Sequence, residues 1–196
     1  MNIKSKITTL AILAAATCAA REAHLKVTVC VSDVSLATKV DEVIEARATA
    51  SEMFAAIGVK LDWRFCPKSG EQGTIVINLK MGSPANQKPG ELAHSSPYEG
   101  THIVIFYDGV RKIRPNKFAV VLAHVMVHEV THILQGICRH SANGVMKEKW
   151  DGYDFLQMAG KPLPFTDADI DLIQLGLDAR EARLAGAALP AANHMQ

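Results

Sequence analysis

Apolar residues recur in two rhythms along this chain, and the rhythm changes at its middle. In the first half, Leu25 to Ser32 (LKVTVCVS), Val59 to Phe65 (VKLDWRF), Thr74 to Lys80 (TIVINLK) and His102 to Tyr107 (HIVIFY) are short, β-branched and aromatic runs that read as strands. Between the first two, Ser35 to Ile57 carries Leu36, Val40, Val43, Ile44, Ala48, Met53 and Phe54 at mostly three- and four-residue spacing. That is a helical stripe, and Gly58 is its natural stop. The Pro/Gly/Ser segment Gly82 to Gly100 is long for a loop in a compact domain, which marks it as functional, with a short edge strand near Glu91 to Ser95.

The second half is helical. Phe118 to Leu134 is apolar nearly all round, so it predicts a helix through a core, with Pro115 in its first turn and Gly136 beyond its last residue, Gln135. A loop with Pro162 and Pro164 follows Trp150. Thr166 then caps a last helix whose apolar residues are Leu172, Ile173, Leu175 and Leu177. The Ala- and Pro-rich tail beyond Leu184 is expected to fray, giving a flexible tail over 186–196. No internal repeat or linker divides the rest.

Residues 1–20 read as an export signal: Lys4 and Lys6 precede the apolar stretch Ile7 to Ala16, and small residues surround Cys18-Ala19-Ala20. The apolar stretch is too short for a stable membrane span. Ala15-Ala16-Thr17 is a poor approach to a lipid-modified Cys18, so the expected product is secreted or periplasmic, with one domain over 21–185. Of 21 basic and 20 acidic residues, only Lys4 and Lys6 leave with the leader, so 19 basic residues then face 20 acidic ones. No basic patch points to nucleic acid and no integral span is expected. Cys30 and Cys66 are candidates to pair, and Cys138 is left over as a thiol or a rival zinc ligand.

The chemistry lies in His128-Glu129-Val130-Thr131-His132. Residues four apart on a helix are offset by about 40° and about 6 Å along the axis, so both imidazoles reach one metal from one face. Glu129 follows His128 by one residue, which directs its carboxylate towards where a metal-bound water would sit. Two ligands and a general base make the H-E-x-x-H arrangement of zinc hydrolases. Unpaired His and Glu in an apolar helix would cost several kcal/mol, a cost that a metal and a solvated cleft remove. His124, four residues earlier on the same face, reads as a core or supporting histidine.

A catalytic zinc generally takes three protein ligands and leaves a fourth position for water. Gly136 ends the helix four residues after His132, and a left-handed glycine can turn the backbone under the metal. His140, four residues on, is then the nearest histidine able to swing back. Glu148, Asp151, Asp154 and Cys138 are its rivals.

The stretch HEVTHILQGICRHSANGVM resembles the metzincin zinc endopeptidases, with matrixins the nearest flavour. His128, Glu129, His132, Gly136 and His140 match by type and order, as do Ser141 and Met146 in a methionine-containing turn. Both gaps, to the glycine and to the third histidine, are four residues here (HExxHxxxGxxxH) where the family has three, which implies a divergent, compact group. The resemblance implies an α/β zincin fold: a mixed, twisted sheet of about five strands with a long backing helix, an active-site helix and a C-terminal helix. It also implies a zinc-dependent endopeptidase acting on protein or peptide substrates, with Glu129 as base and Met146 packed beneath the metal. Glu91 to Ser95 would bind extended substrate, with His94 lining the cleft and Tyr153 a candidate for stabilising the oxyanion. Two other classes stand beside it: an inactive zincin-fold binding module, and a zincin whose third ligand is not histidine.

Overall fold

Strand alternation decides which face of the sheet is buried. The computed structural model describes residues 26–32, 39–66, 72–82 and 90–188. Within it β1 (Lys26–Ser32), β2 (Lys60–Arg64), β3 (Ile75–Lys80), β4 (Ala93–Ser95) and β5 (His102–Phe106) form one sheet in the order β2-β1-β3-β5-β4. The register sets Val27 beside Leu61, Val29 beside Ile75, Ile77 beside Ile103, and both Leu79 and Ala93 beside Ile105. All of these side chains are buried. The alternate positions Thr28, Asp62, Asn78 and Val104 are only half-buried, and His94 is exposed. One face is therefore the core and the other meets solvent, as a period of two requires.

Four strands run parallel, and β4 lies antiparallel on the β5 edge. A parallel β1–β2 pair needs a crossover, which α1 (Val40–Ala55) supplies. The mixed five-stranded sheet and the three expected helices are present, with boundaries within a few residues of the sequence reading. The predicted start of α1 falls on residues 33–38, outside the described residues, as do the leader 1–20 and part of the Gly82 to Gly100 segment.

The stripe on α1 differs from the one expected. Val40 and Ile44 are each 56% exposed, whereas Val43, Ala46, Ala50, Met53 and Phe54 are buried. Small alanines on the inner face let α1 lie close against the motif helix, α3 (Phe118–Gln135), so packing decides between neighbouring stripes. A short α2 (Tyr107–Ile113) and a 3-10 turn (Pro115–Lys117) lead into α3. Their seven and three residues are too few to carry a periodic signal. The same is true of α4 (Gly152–Met158), in the stretch read as a loop, which opens on a capping box between Asp151 and Asp154.

α3 runs through the core with nearly every residue buried. Among the described residues, Pro115–Gln135 is the one helix long and apolar enough to cross a membrane, and most of it is buried within the fold. α5 (Asp167–Ala188) closes the domain and continues past Leu184, into the expected tail. Thr166 caps it: the Asp169 N–H donates to Thr166 Oγ1 (3.2 Å), and Asp169 Oδ2 accepts from the Thr166 N–H (3.0 Å). A disulfide joins Cys30 to Cys66, while Cys138 is free and exposed.

Candidate metal centre

Three short segments with different local causes meet at the C-terminal end of α3. The helix itself supplies His128, Glu129 and His132, all less than a tenth exposed. Gly136 then adopts φ 69°, the left-handed conformation that glycine takes without penalty, and its N–H donates to the His132 carbonyl (3.0 Å). The chain turns back through Ile137 and Cys138 to bring up His140, which is exposed. Beyond it, Gly144 (φ 75°) allows a tight turn carrying Val145 and Met146, both fully buried. The Val145 N–H donates to the Pro164 carbonyl (2.9 Å), and the Ser141 N–H donates to the Met146 carbonyl (2.8 Å), which close the turn.

The backbone sets the histidine tautomers. His128 Nδ1 lies 2.9 Å from the Val145 carbonyl and His132 Nδ1 lies 3.1 Å from the Ile137 carbonyl. A carbonyl only accepts, so each Nδ1 carries the proton and, in the neutral ring, each Nε2 presents its lone pair. Those two Nε2 atoms face each other at 3.1 Å. Burial, with His132 adding to it, pushes the His128 pKa down to about 3; burial likewise pushes His132 down to about 4. Two neutral rings with opposed lone pairs repel unless a cation lies between them.

His140 completes the set. Its ring stacks on His128 at 5.3 Å between centroids and stands edge-on to His132 at 5.0 Å. One ligand atom from each of the three histidines lies within 4.8 Å of the others. Tetrahedral zinc with Zn–N bonds of about 2.0–2.1 Å needs nitrogens about 3.3 Å apart, so the donor type and spread fit that ion after small side-chain adjustments. Each helical imidazole is also held by a hydrogen bond on its Nδ1, the arrangement that metal-bound imidazoles generally show.

Glu129 follows His128 in the same helix. Burial pushes its carboxyl up to about 7, against a hydrogen bond with the Ser95 side chain, and Glu91 adds a repulsive charge. A carboxyl poised there can take and return a proton near neutrality. Ser95 comes from β4, whose alternation turns Ala93 and Ser95 inwards and His94 outwards.

The other expected residues fall as follows. His94 is exposed on the edge strand, paired in register with Val104. Tyr153 is 74% exposed on the first turn of α4. Glu148 is exposed, and Asp154 is held by Lys147 (2.6 Å) and the Asp151 N–H (2.8 Å). His124 is fully buried: Nδ1 donates to the Val120 carbonyl (2.7 Å) and Nε2 accepts from the Leu163 N–H (3.0 Å). That is a core role. Sequence reasoning missed Ser95 and Trp150, whose ring stands edge-on to His128 at 5.7 Å. The alternation of β4 could have indicated Ser95; nothing local indicates Trp150.

The sheet order, the motif helix through the core and the histidine cluster at its end define an α/β zincin fold. Among solved structures the chain is similar to the archaemetzincin of Methanopyrus kandleri, with a TM-score of 0.52 and 16% sequence identity. The match covers 78% of this chain and 95% of that one, and at this identity the likeness is one of fold. No protein-family profile matches the chain, and no curated protein does. The matrixin-like flavour expected from the motif is thus not supported; the structural likeness is to an archaemetzincin.

Proposed function

We propose that this chain is a zinc-dependent endopeptidase that hydrolyses protein or peptide substrates. The observation that carries the reading is the orientation of the two helical imidazoles, whose Nε2 lone pairs point at a position that His140 also reaches. His128, His132 and His140 would hold the ion. When bound, zinc supplies Lewis acidity towards a carbonyl and lowers the pKa of a water.

The chain's own groups do the rest. Glu129 accepts the proton of the attacking water and returns it to the leaving amine, with Ser95 orienting its carboxylate. β4 is an edge strand, able to pair with extended substrate through main-chain hydrogen bonds; His94, expected to line the cleft, points to the opposite face from Ser95 and Glu129. Tyr153 is the candidate donor to the oxyanion, and Met146 forms part of the floor. Action in a secreted or periplasmic setting agrees with the Cys30–Cys66 disulfide, which suits an oxidising compartment.

The test is Glu129→Gln against a broad peptide library, with zinc content measured on the same preparations. The variant should keep one zinc and lose cleavage by roughly 10²–10⁴-fold. Cleavage by the variant at the wild-type rate would remove Glu129 as base. Wild type that binds zinc yet cleaves nothing would favour a binding module instead. Unchanged zinc affinity in His140→Ala would pass the third position to another ligand.

A further inference from the structure

Asp169 lies at the start of α5, fully buried, far along the chain from the motif. Its Oδ1 accepts from Ser141 Oγ (2.6 Å) and from Arg139 Nη1 (2.9 Å), the residues on either side of His140. Arg139 also donates to Ser141 Oγ (3.2 Å). Asp169 Oδ2 accepts from the Thr166 N–H (3.0 Å) and Oγ1–H (2.6 Å), which fixes the carboxylate to the helix cap. Its main-chain carbonyl accepts from Gln135 Nε2 (3.3 Å), three residues after His132. One buried residue thus touches the helix that carries two histidines and both neighbours of the third.

We propose that the Asp169–Arg139–Ser141 bracket is a positioning device that pre-sets His140 for metal binding. The inference rests on His140 being the third zinc ligand. Three residues separate Gly136 from His140, and a loop of that length, if free, must be ordered when the ion binds. Pinning both flanks of His140 to α5 orders it beforehand. The bracket acts through His140, and Asp169 does not touch the reacting atoms.

The charge of Arg139 provides a control of known sign. Removing a cation near a zinc site, beside a carboxylate that stays, strengthens zinc binding by Coulomb attraction alone. A loss of affinity in Arg139→Met therefore comes from lost positioning.

The experiment measures the affinity for Zn2+ alone, by competition with a chromophoric chelator, on the full chain. Arg139→Met with Ser141→Ala should weaken Zn2+ roughly 10–100-fold. In a His140→Ala background the same pair of changes should shift affinity by less than about threefold, because no ligand remains to position. Arg139→Lys alone, which keeps a donor, should recover most of the affinity. Thermal unfolding without metal measures general damage separately. Wild type that binds Zn2+ while the paired variant matches it overturns the bracket and leaves the zinc reading intact. An equal loss with and without His140 also overturns the bracket, since it marks a structural role only. Wild type that binds no Zn2+ removes the zinc reading, and the bracket with it.

Discussion

Gly176 is where the two longest helices touch. A Cβ built there would lie 1.7 Å from the Leu134 carbonyl oxygen and 2.8 Å from its carbon. Both atoms are backbone, so no rotamer change can relieve the clash and α3 and α5 would have to part. Gly176→Ala should therefore cost at least about 3 kcal/mol, the upper range for overpacking, read as a fall in the urea unfolding midpoint. The usual gain in helix propensity from Gly to Ala, about 1 kcal/mol, runs the other way and is too small to win. A variant as stable as wild type would show that the crossing is looser than described. At this scale the sequence was partly readable. The spacing of His128, Glu129 and His132 follows from helix geometry, which is local. The inner face of α5 was not readable, because it carries Asp169, Gly176 and Arg180 beside Ile173 and Leu177, whereas Leu175, expected as apolar, is 64% exposed.

Among elements, α1 and α2 are joined by charge. Arg111 pairs with Glu42 and with the Tyr107 hydroxyl, and its guanidinium lies over the rings of Phe118 (3.9 Å) and Tyr107 (5.0 Å). The Arg111 hydrogen bond holds the Glu42 carboxyl below the ordinary glutamate range, against the cost of burial. As pH falls, the unfolded chain takes up this proton before the folded one does. The contribution to stability is therefore complete above the ordinary glutamate pKa and is lost as pH falls through the folded value. Urea unfolding at about pH 6 and about pH 3.5 should show Glu42→Gln losing less stability on acidification than wild type. Equal losses would mean that the pair is not coupled to folding. α2 was invisible in the sequence because strand β5 runs into it without a turn residue between them.

For the whole molecule, the Cys30–Cys66 bridge ties an inner strand to the segment that ends β2, across a sequence separation of 36. Closing a loop of that length in the unfolded chain is worth about 4 kcal/mol in the chain-entropy account. Cys30→Ser with Cys66→Ser should lower unfolding free energy by about that amount, while added reductant should leave the double variant unchanged. Arg180 acts over a longer distance: its guanidinium donates to the carbonyls of Gly73 and Gly100, which fastens the last helix to segments leading into β3 and β5. Bound zinc would add to stability as well, by about 4 kcal/mol at a thousandfold excess over Kd.

The sequence by itself determined the strands, the three main helices and the local geometry of the H-E-x-x-H turn pair, because periodicity, caps and glycine stops act over a few residues. Tertiary structure alone decided what comes from afar. It chose the stripe of α1, set His140 beside the helical pair across a widened gap, and placed Ser95, Trp150 and Asp169 around the centre. Those placements depend on register and helix crossing, which arise when a whole apolar face is buried at once, and no short window of residues encodes them.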